Sequence, residues 1–184
     1  MWITILIFAI LFVLDQGTKY LAQLFLVAGT RQTVIPNVFS FELEYNSGAS
    51  FSMLSGSDSN WLLIIISAVA TLVLIYMCSK NNWKTQKFKS ALLTIILAGC
   101  VGNLYDRIIM VIPYLNGETD GGRPGVVDML HFDFIDPIWN AIFKSDFASP
   151  NVADLYLVFG LIIFAIYIIF FEERMKKKNE AHCF

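Results

Sequence analysis

Four runs of mostly apolar residues decide what this chain can be: Trp2 to about Leu26, Trp61 to Cys78, about Ser90 to Val111, and Leu155 to Phe171. Each approaches the roughly 20 residues needed to cross a hydrocarbon core of about 30 Å. The apolarity is continuous rather than alternating and the chain has only 184 residues. A closed barrel is therefore out of reach, and the runs are read as helices. A composition of 57% hydrophobic and 15% charged residues, with mean hydropathy +0.62, falls outside the range of soluble domains. The expected fold is an all-α membrane protein, one domain over residues 1–184 with helices at about 2–26, 61–78, 90–111 and 153–171. A small extracytoplasmic β element and a long outer loop are expected in the outer segments, 29–60 and 112–150. No basic residue precedes Trp2 and no A-x-A-like site follows Asp15, so the first run reads as a retained helix rather than a cleaved signal.

Lysine and arginine set the orientation. The connection from Ser79 to Ser90 carries Lys80, Lys84, Lys87 and Lys89, and the tail carries Arg174, Lys176, Lys177 and Lys178. The positive-inside rule puts both in the cytoplasm, with both termini. The segments at 29–60 and 113–150 are poor in Lys and Arg and richer in acids, as outer connections should be.

With that topology, the charges inside the runs gather toward one side. Asp15 and Lys19 stand one helical turn apart and can pair. Asp106 and Arg107 follow in the third run, and Asp154 stands in the first turn of the fourth. Twice an Asn precedes an Asp by three residues, in Asn103-Leu104-Tyr105-Asp106 and in Asn151-Val152-Ala153-Asp154. On a helix such residues share a face, and acids at membrane depth are costly enough to mark function. Structural readings stand beside this one: a bridge for Asp15 with Lys19, and for Asp106 with Arg107 a charge pair fastening the third helix to the loop.

Outside the runs, Asn37 to Tyr45 alternates apolar and polar residues and predicts a short half-buried strand. Asn116-Gly117 and Gly121 to Gly125 are turn signals. Val126 to Ile135 is apolar and aromatic, and Phe132, Phe134 and Trp139 suit interfacial anchoring. Cys78, Cys100 and Cys183 lack metal or disulfide spacing, and His131 and His182 are too isolated for a zinc site.

These residues together resemble lipoprotein signal peptidase, the bacterial signal peptidase II family. The resemblance covers nearly the whole chain and rests on five motifs in the family's order: Asp15-Gln16-Gly17-Thr18-Lys19, Asn46-x-Gly48-Ala49-x-Phe51, Gly102-Asn103-x-x-Asp106-Arg107, Val126-Val127-Asp128, and Asn151-x-Ala153-Asp154. It implies an intramembrane aspartyl endopeptidase of the bacterial inner membrane that removes the signal peptide from lipid-modified prolipoproteins, cutting just before the lipidated cysteine. The implied catalytic pair is Asp128 and Asp154. Asn46, Gly48, Asn103, Asp106, Arg107 and Asn151 correspond to the pocket, and Asp15 and Lys19 to its support. A monomer is expected, needing neither metal nor cofactor, with precursor signal peptides and membrane lipid as partners and no nucleic acid. Two departures stand out: residues 117–125 look like an insertion, and Pro150 takes the place of an aromatic.

The chemistry is reasonable on physical grounds. Two adjacent carboxyls cannot both ionise easily, so they share a proton, one member activating water and the other polarising the peptide carbonyl. The competing class is a small transporter or proton conductor using intramembrane carboxylates. It should carry acids at several depths, whereas the inner halves of these helices lack charge. Access is expected sideways from the bilayer, with the 117–125 glycines as hinges of a closing loop.

Overall fold

A computed structural model describes residues 2–46, 57–115 and 125–172 of the protein. Gly48, residues 117–124 with the proposed hinge, the Lys-rich tail, His182 and Cys183 lie outside the described residues. In chain order the elements are α1 (Trp2–Phe25), β1 (Arg31–Ile35), β2 (Phe39–Asn46), α2 (Ser57–Lys80), α3 (Lys87–Leu115), β3 (Val126–His131), α4 (Asp136–Phe143) and α5 (Val152–Tyr167), which ends in a π-turn at Ile168–Glu172. Among the described residues, four spans are long and apolar enough to cross a membrane: Trp2–Phe25, Trp61–Lys80, Lys87–Ile109 and Val152–Phe171. The fold is thus mostly helical with a three-stranded sheet, and not purely α. The segment expected as one long loop contains a strand and a helix.

α3 is the central helix, packing against α1, α2 and α5. It supplies the buried Leu92, Leu93, Ile96 and Ala98, while α1, α2 and α5 expose most of their large apolar side chains. In lipid, helices gain little from hiding apolar surface and associate through close packing and polar contacts. Gly99 shows the first: a Cβ there would lie 2.6 Å from the Ala153 carbonyl oxygen, so only glycine lets α5 approach this closely.

The helices do not end at one level. The Asp15 carboxylate accepts the Ala153 amide of α5 at 2.9 Å, yet α1 continues ten residues to Phe25, about 15 Å at 1.5 Å per residue. α5 therefore starts well below the end of α1, and the antiparallel sheet, in the order β1-β2-β3, sits over this recess. Leu43, Val127 and Met129 pack on Ala22 of α1, with Leu26, Tyr45 and Leu130 around them. The β1–β2 hairpin turns at Pro36 and Asn37, with Asn37 at φ 61° and Val38 N donating to Ile35 O at 3.0 Å. Proline fixes the second turn position and asparagine tolerates the left-handed third. In the β2–β3 register Glu44 faces Asp128 and Asn46 faces Val126, with an irregularity between Phe41 and Glu44.

Candidate active site

The polar residues of the recess form one hydrogen-bonded layer linking α1, α3, β3 and α5. Its anchor is Lys19, which is 1% exposed. Its ammonium lies 2.9 Å from Asp15 and 2.8 Å from Asp106 and donates to Asn103 Oδ1 at 3.2 Å. Asp106 therefore pairs across helices with Lys19 rather than with its neighbour Arg107. Gln16 adds donors to Asp15 and Asp106, both at 3.0 Å. A Cβ on Gly102 would overlap the Asp15 carboxylate, so that glycine makes room for the bridge.

The layer reaches the two implied catalytic acids through two asparagines. Asn103 accepts from Lys19 and Asn151 on its oxygen and donates Nδ2 to Asp154 Oδ1 at 2.7 Å. Asn151, fully buried, donates Nδ2 to Asp128 Oδ1 at 2.6 Å and to Asn103 Oδ1 at 3.1 Å. It is also the N-cap of α5. Its Oδ1 accepts the Asp154 amide at 2.9 Å, and its own amide donates to Asp154 Oδ2 at 3.1 Å, closing a reciprocal capping box. The same Asn-x-x-Asp spacing thus does two jobs: at 103–106 it lies within a helix, and at 151–154 it starts one.

Asp128 arrives from β3, where it is 2% exposed and is also hydrogen-bonded by Asn46. Burial first, and the charge of Asp154 second, push its pKa up to about 7. Arg107 donates to Ser67 of α2 at 3.4 Å, and its charge acts on Asp154, Asp128 and Asp106. Every described residue that the family resemblance assigns to the site is thus in or beside this layer. Gln16, Gly102 and the Ala153 amide were missed as members. Gln16 gave a signal, as an amide beside an acid in an apolar run, but the other two are visible only once helices pack.

A second charged cluster lies on the sheet. Arg31 of β1 contacts Glu42 at 2.8 Å, Asp136 at 3.0 Å, Asp146 at 3.3 Å and Asp133 at 3.4 Å. Buried His131 places Nε2 2.9 Å from Asp136 and Nδ1 3.1 Å from Ser149. Donor atoms of His131, Asp133 and Asp136 lie within 4.8 Å of one another, and the Arg31 guanidinium provides positive charge among them. The aromatic anchors expected at an interface divide: Phe134 is exposed, whereas Trp139 packs against Phe143, tilted, and against Phe147, edge to face, at 4.3 and 5.1 Å between ring centres.

The sequence profile of the family described as Signal peptidase (SPase) II matches residues 7–170. Lipoprotein signal peptidase of Pseudomonas paraeruginosa is 32% identical over 183 residues, covering 98% of this chain and 91% of the relative. That of Enterococcus faecalis is 34% identical over 173 residues, covering 94% and 91%. A solved bacterial membrane enzyme superposes with TM-score 0.71 at 26% identity, covering 93% of this chain and 95% of the other.

Proposed function

The chain belongs to the signal peptidase II family, and on that premise we propose that it is an aspartyl endopeptidase that cuts lipid-modified prolipoproteins just before the lipidated cysteine, with Asp128 and Asp154 as its catalytic pair. The observation carrying this choice is Asn151, which hydrogen-bonds both carboxylates at once. Asp15 and Asp106 are instead both ion-paired with Lys19. The remaining residues hold the pair: Asn103 and Asn151 orient it, Asp15 and Lys19 support them, and Asn46, Asp106 and Arg107 border the substrate pocket, to which the family resemblance alone also assigns Gly48.

Both Asp154 oxygens accept donors from Asn103 and Asn151, whereas Asp128 is the acid whose pKa reaches about 7. This supports giving the shared proton to Asp128. Asp154 then takes a proton from water as the oxygen attacks the scissile carbonyl carbon, and Asp128 donates its proton to the carbonyl oxygen, giving a gem-diol. On collapse the C–N bond breaks, Asp154 passes its proton to the leaving amine, and a hydroxyl proton returns to Asp128. Both acids end as they began. The Lys-bearing α2–α3 connection lies at the end of the bundle away from the sheet, so the positive-inside rule favours a site facing the outer side of the inner membrane. The gathering of charges at one end favours the peptidase over a transporter, whose acids would be spread through the depth.

The test is cleavage of a lipid-modified precursor by purified protein. Asp128→Asn and Asp154→Asn should each abolish release of the signal peptide while inserting at normal levels. Turnover by either mutant would show that the pair is wrong, and Asp106 would be the next candidate.

A further inference from the structure

Helix α4 is eight residues long, with polar contacts on one side, where Phe143 is also 56% exposed, and an apolar stripe on the other. Asp136 and Asn140 lie one turn apart on one face. Asp136 contacts Arg31 and His131 and accepts the Phe147 amide at 3.0 Å, and Asn140 donates to Asp146 at 3.5 Å. At 100° per residue, Ile138 lies about 200° round the helix from Asp136, and Ile142 continues its line one turn later. They are 67% and 66% exposed. The contacts of Asp136 with Arg31 of β1 and His131 of β3 turn its side of the helix toward the strands, so this apolar stripe points away from them.

Three observations say what covers it. First, the sheet is at the level of the last turns of α1, because Leu43, Val127 and Met129 pack on Ala22. At that level α1 exposes Leu21, Leu24 and Phe25 on a span apolar enough to cross a membrane. Second, the apolar surface runs on from the sheet to α4. Phe39 meets Phe132 at 5.8 Å, Phe132 meets Phe134 at 6.1 Å between ring centres, and exposed Phe134 stands at the foot of the helix. Third, Phe147, tied to Asp136, is five residues before α5. Even a fully extended chain of that length reaches only about 18 Å, so α4 is tethered close to where α5 enters the bilayer. Exposed Lys144, the left-handed cap of α4, follows the stripe as a cation suited to lipid phosphates.

We propose that α4 lies in the head-group layer of the bilayer with Ile138 and Ile142 inserted among the acyl chains, so that lipid itself is the partner of this face. Such helices bury their apolar side about 5–10 Å into the boundary. The sheet that delivers Asp128 is then held from two directions, by α1 beneath it and by lipid through α4. The Arg31 cluster is the fastening between the helix and the strands.

The test uses spin labels on the full chain with Cys78, Cys100 and Cys183 replaced by serine, in phosphatidylcholine–phosphatidylglycerol vesicles. Labels at positions 138 and 142 should resemble a lipid-facing label at position 25, colliding readily with oxygen and at least threefold less with a water-soluble nickel chelate than a label at position 84. Nickel collisions equal to those at position 84 would overturn the proposal. So would protection that appears only when a lipidated precursor is added, since the stripe would then be a substrate surface. As a second measurement, unmodified protein in vesicles of phosphatidylcholine carrying an acyl-chain diazirine should be labelled by light at Ile138 and Ile142. Labelling of the four spans without residues 136–143 would also overturn it. Neither readout depends on cleavage, so each stands whether or not Asp128 and Asp154 are the catalytic pair.

Discussion

Two cations in this protein each gather several acids, and their surroundings make them different devices. Lys19 is 1% exposed and faces Asp15 and Asp106, themselves buried inside the bundle. The Arg31 side chain is 31% exposed, and the Asp146 it contacts is 56% exposed. In the first setting neither side can be rehydrated when the other is removed, so the loss of one charge is felt in full. In the second, water and salt take up most of the change. The compact ammonium sits where a hydrogen bond must be passed on through Asn103 to Asp154. The broad guanidinium sits where several strands and a helix must be tied at once.

Between the two cations, the larger effect should come from Lys19→Met. It leaves Asp15 and Asp106 facing each other without a counter-charge and removes a donor from Asn103, so cleavage should fall at least 100-fold. Breaking one partner of a buried ion pair costs about 3–5 kcal/mol, to be read as thermal unfolding in detergent. Arg31→Gln on the same assay should cost about 1 kcal/mol or less. Equal losses from the two substitutions would erase the distinction between the sites.

Asp128 sharpens the comparison from within the buried layer. In the proposed mechanism its carboxyl must be protonated to donate to the carbonyl oxygen and its pKa is about 7, so kcat/KM should fall about tenfold per pH unit above that value. The stability consequence has the opposite sign to that of an ordinary paired acid. The pKa is higher folded, about 7, than unfolded, near 3.8. The folded state therefore loses stability as pH rises from about 4 to 7, on the order of 4 kcal/mol at one pKa unit per 1.36 kcal/mol. Asp128→Asn should thus be inactive yet more resistant to unfolding than wild type at pH 8. A mutant less stable at that pH would show that the charged form is well accommodated.

Salt separates the two clusters by a smaller margin. At 1 M salt the screening length is about 3 Å, so the deficit of Arg31→Gln should shrink to a few tenths of a kcal/mol. The deficit of Lys19→Met should hardly move, because ions do not reach it.

The sequence made the membrane fold legible because bilayer thickness dictates the length of an apolar run, and all four spans were located from it. It also showed the charges of the recess, since Asp15, Asp106 and Asp154 interrupt apolar surroundings. The sheet was harder to read. β2 alternates and was found, but β3 is buried at nearly every position, so Val126 to His131 carries no period of two and reads as interfacial. Its partner residue for Asp128, Glu44, is far away in sequence. α4 is too short for a helical period to stand out. The link from Lys19 through Asn103 to Asp154 joins three helices and depends on their packing. Asn151 was recognised as a neighbour of Asp154, but its role as a helix cap rests on a backbone angle that spacing alone leaves open.

The smallest expected effect tests the sheet cluster at its most exposed edge. Burial alone would raise the pKa of Asp136. The contacts from His131, the Phe147 amide and Arg31 outweigh that and hold it below the usual 3.8. A depressed pKa means that the charged form is favoured on folding. Its contribution is therefore complete above about pH 4 and disappears as pH falls through the folded value. Asp136→Asn keeps the size of the side chain and removes this charge, so it should cost roughly 0.5–1 kcal/mol at pH 7. The gap from wild type should close as unfolding is measured at progressively lower pH between about 5 and 3. Cleavage at pH 7 should change less than threefold, because His131 still has Ser149 as a partner and Leu130 still donates to Pro150, beside Asn151, at 2.9 Å. A loss of cleavage comparable to that of Lys19→Met, with stability unchanged, would instead make the sheet cluster part of the proposed catalytic layer.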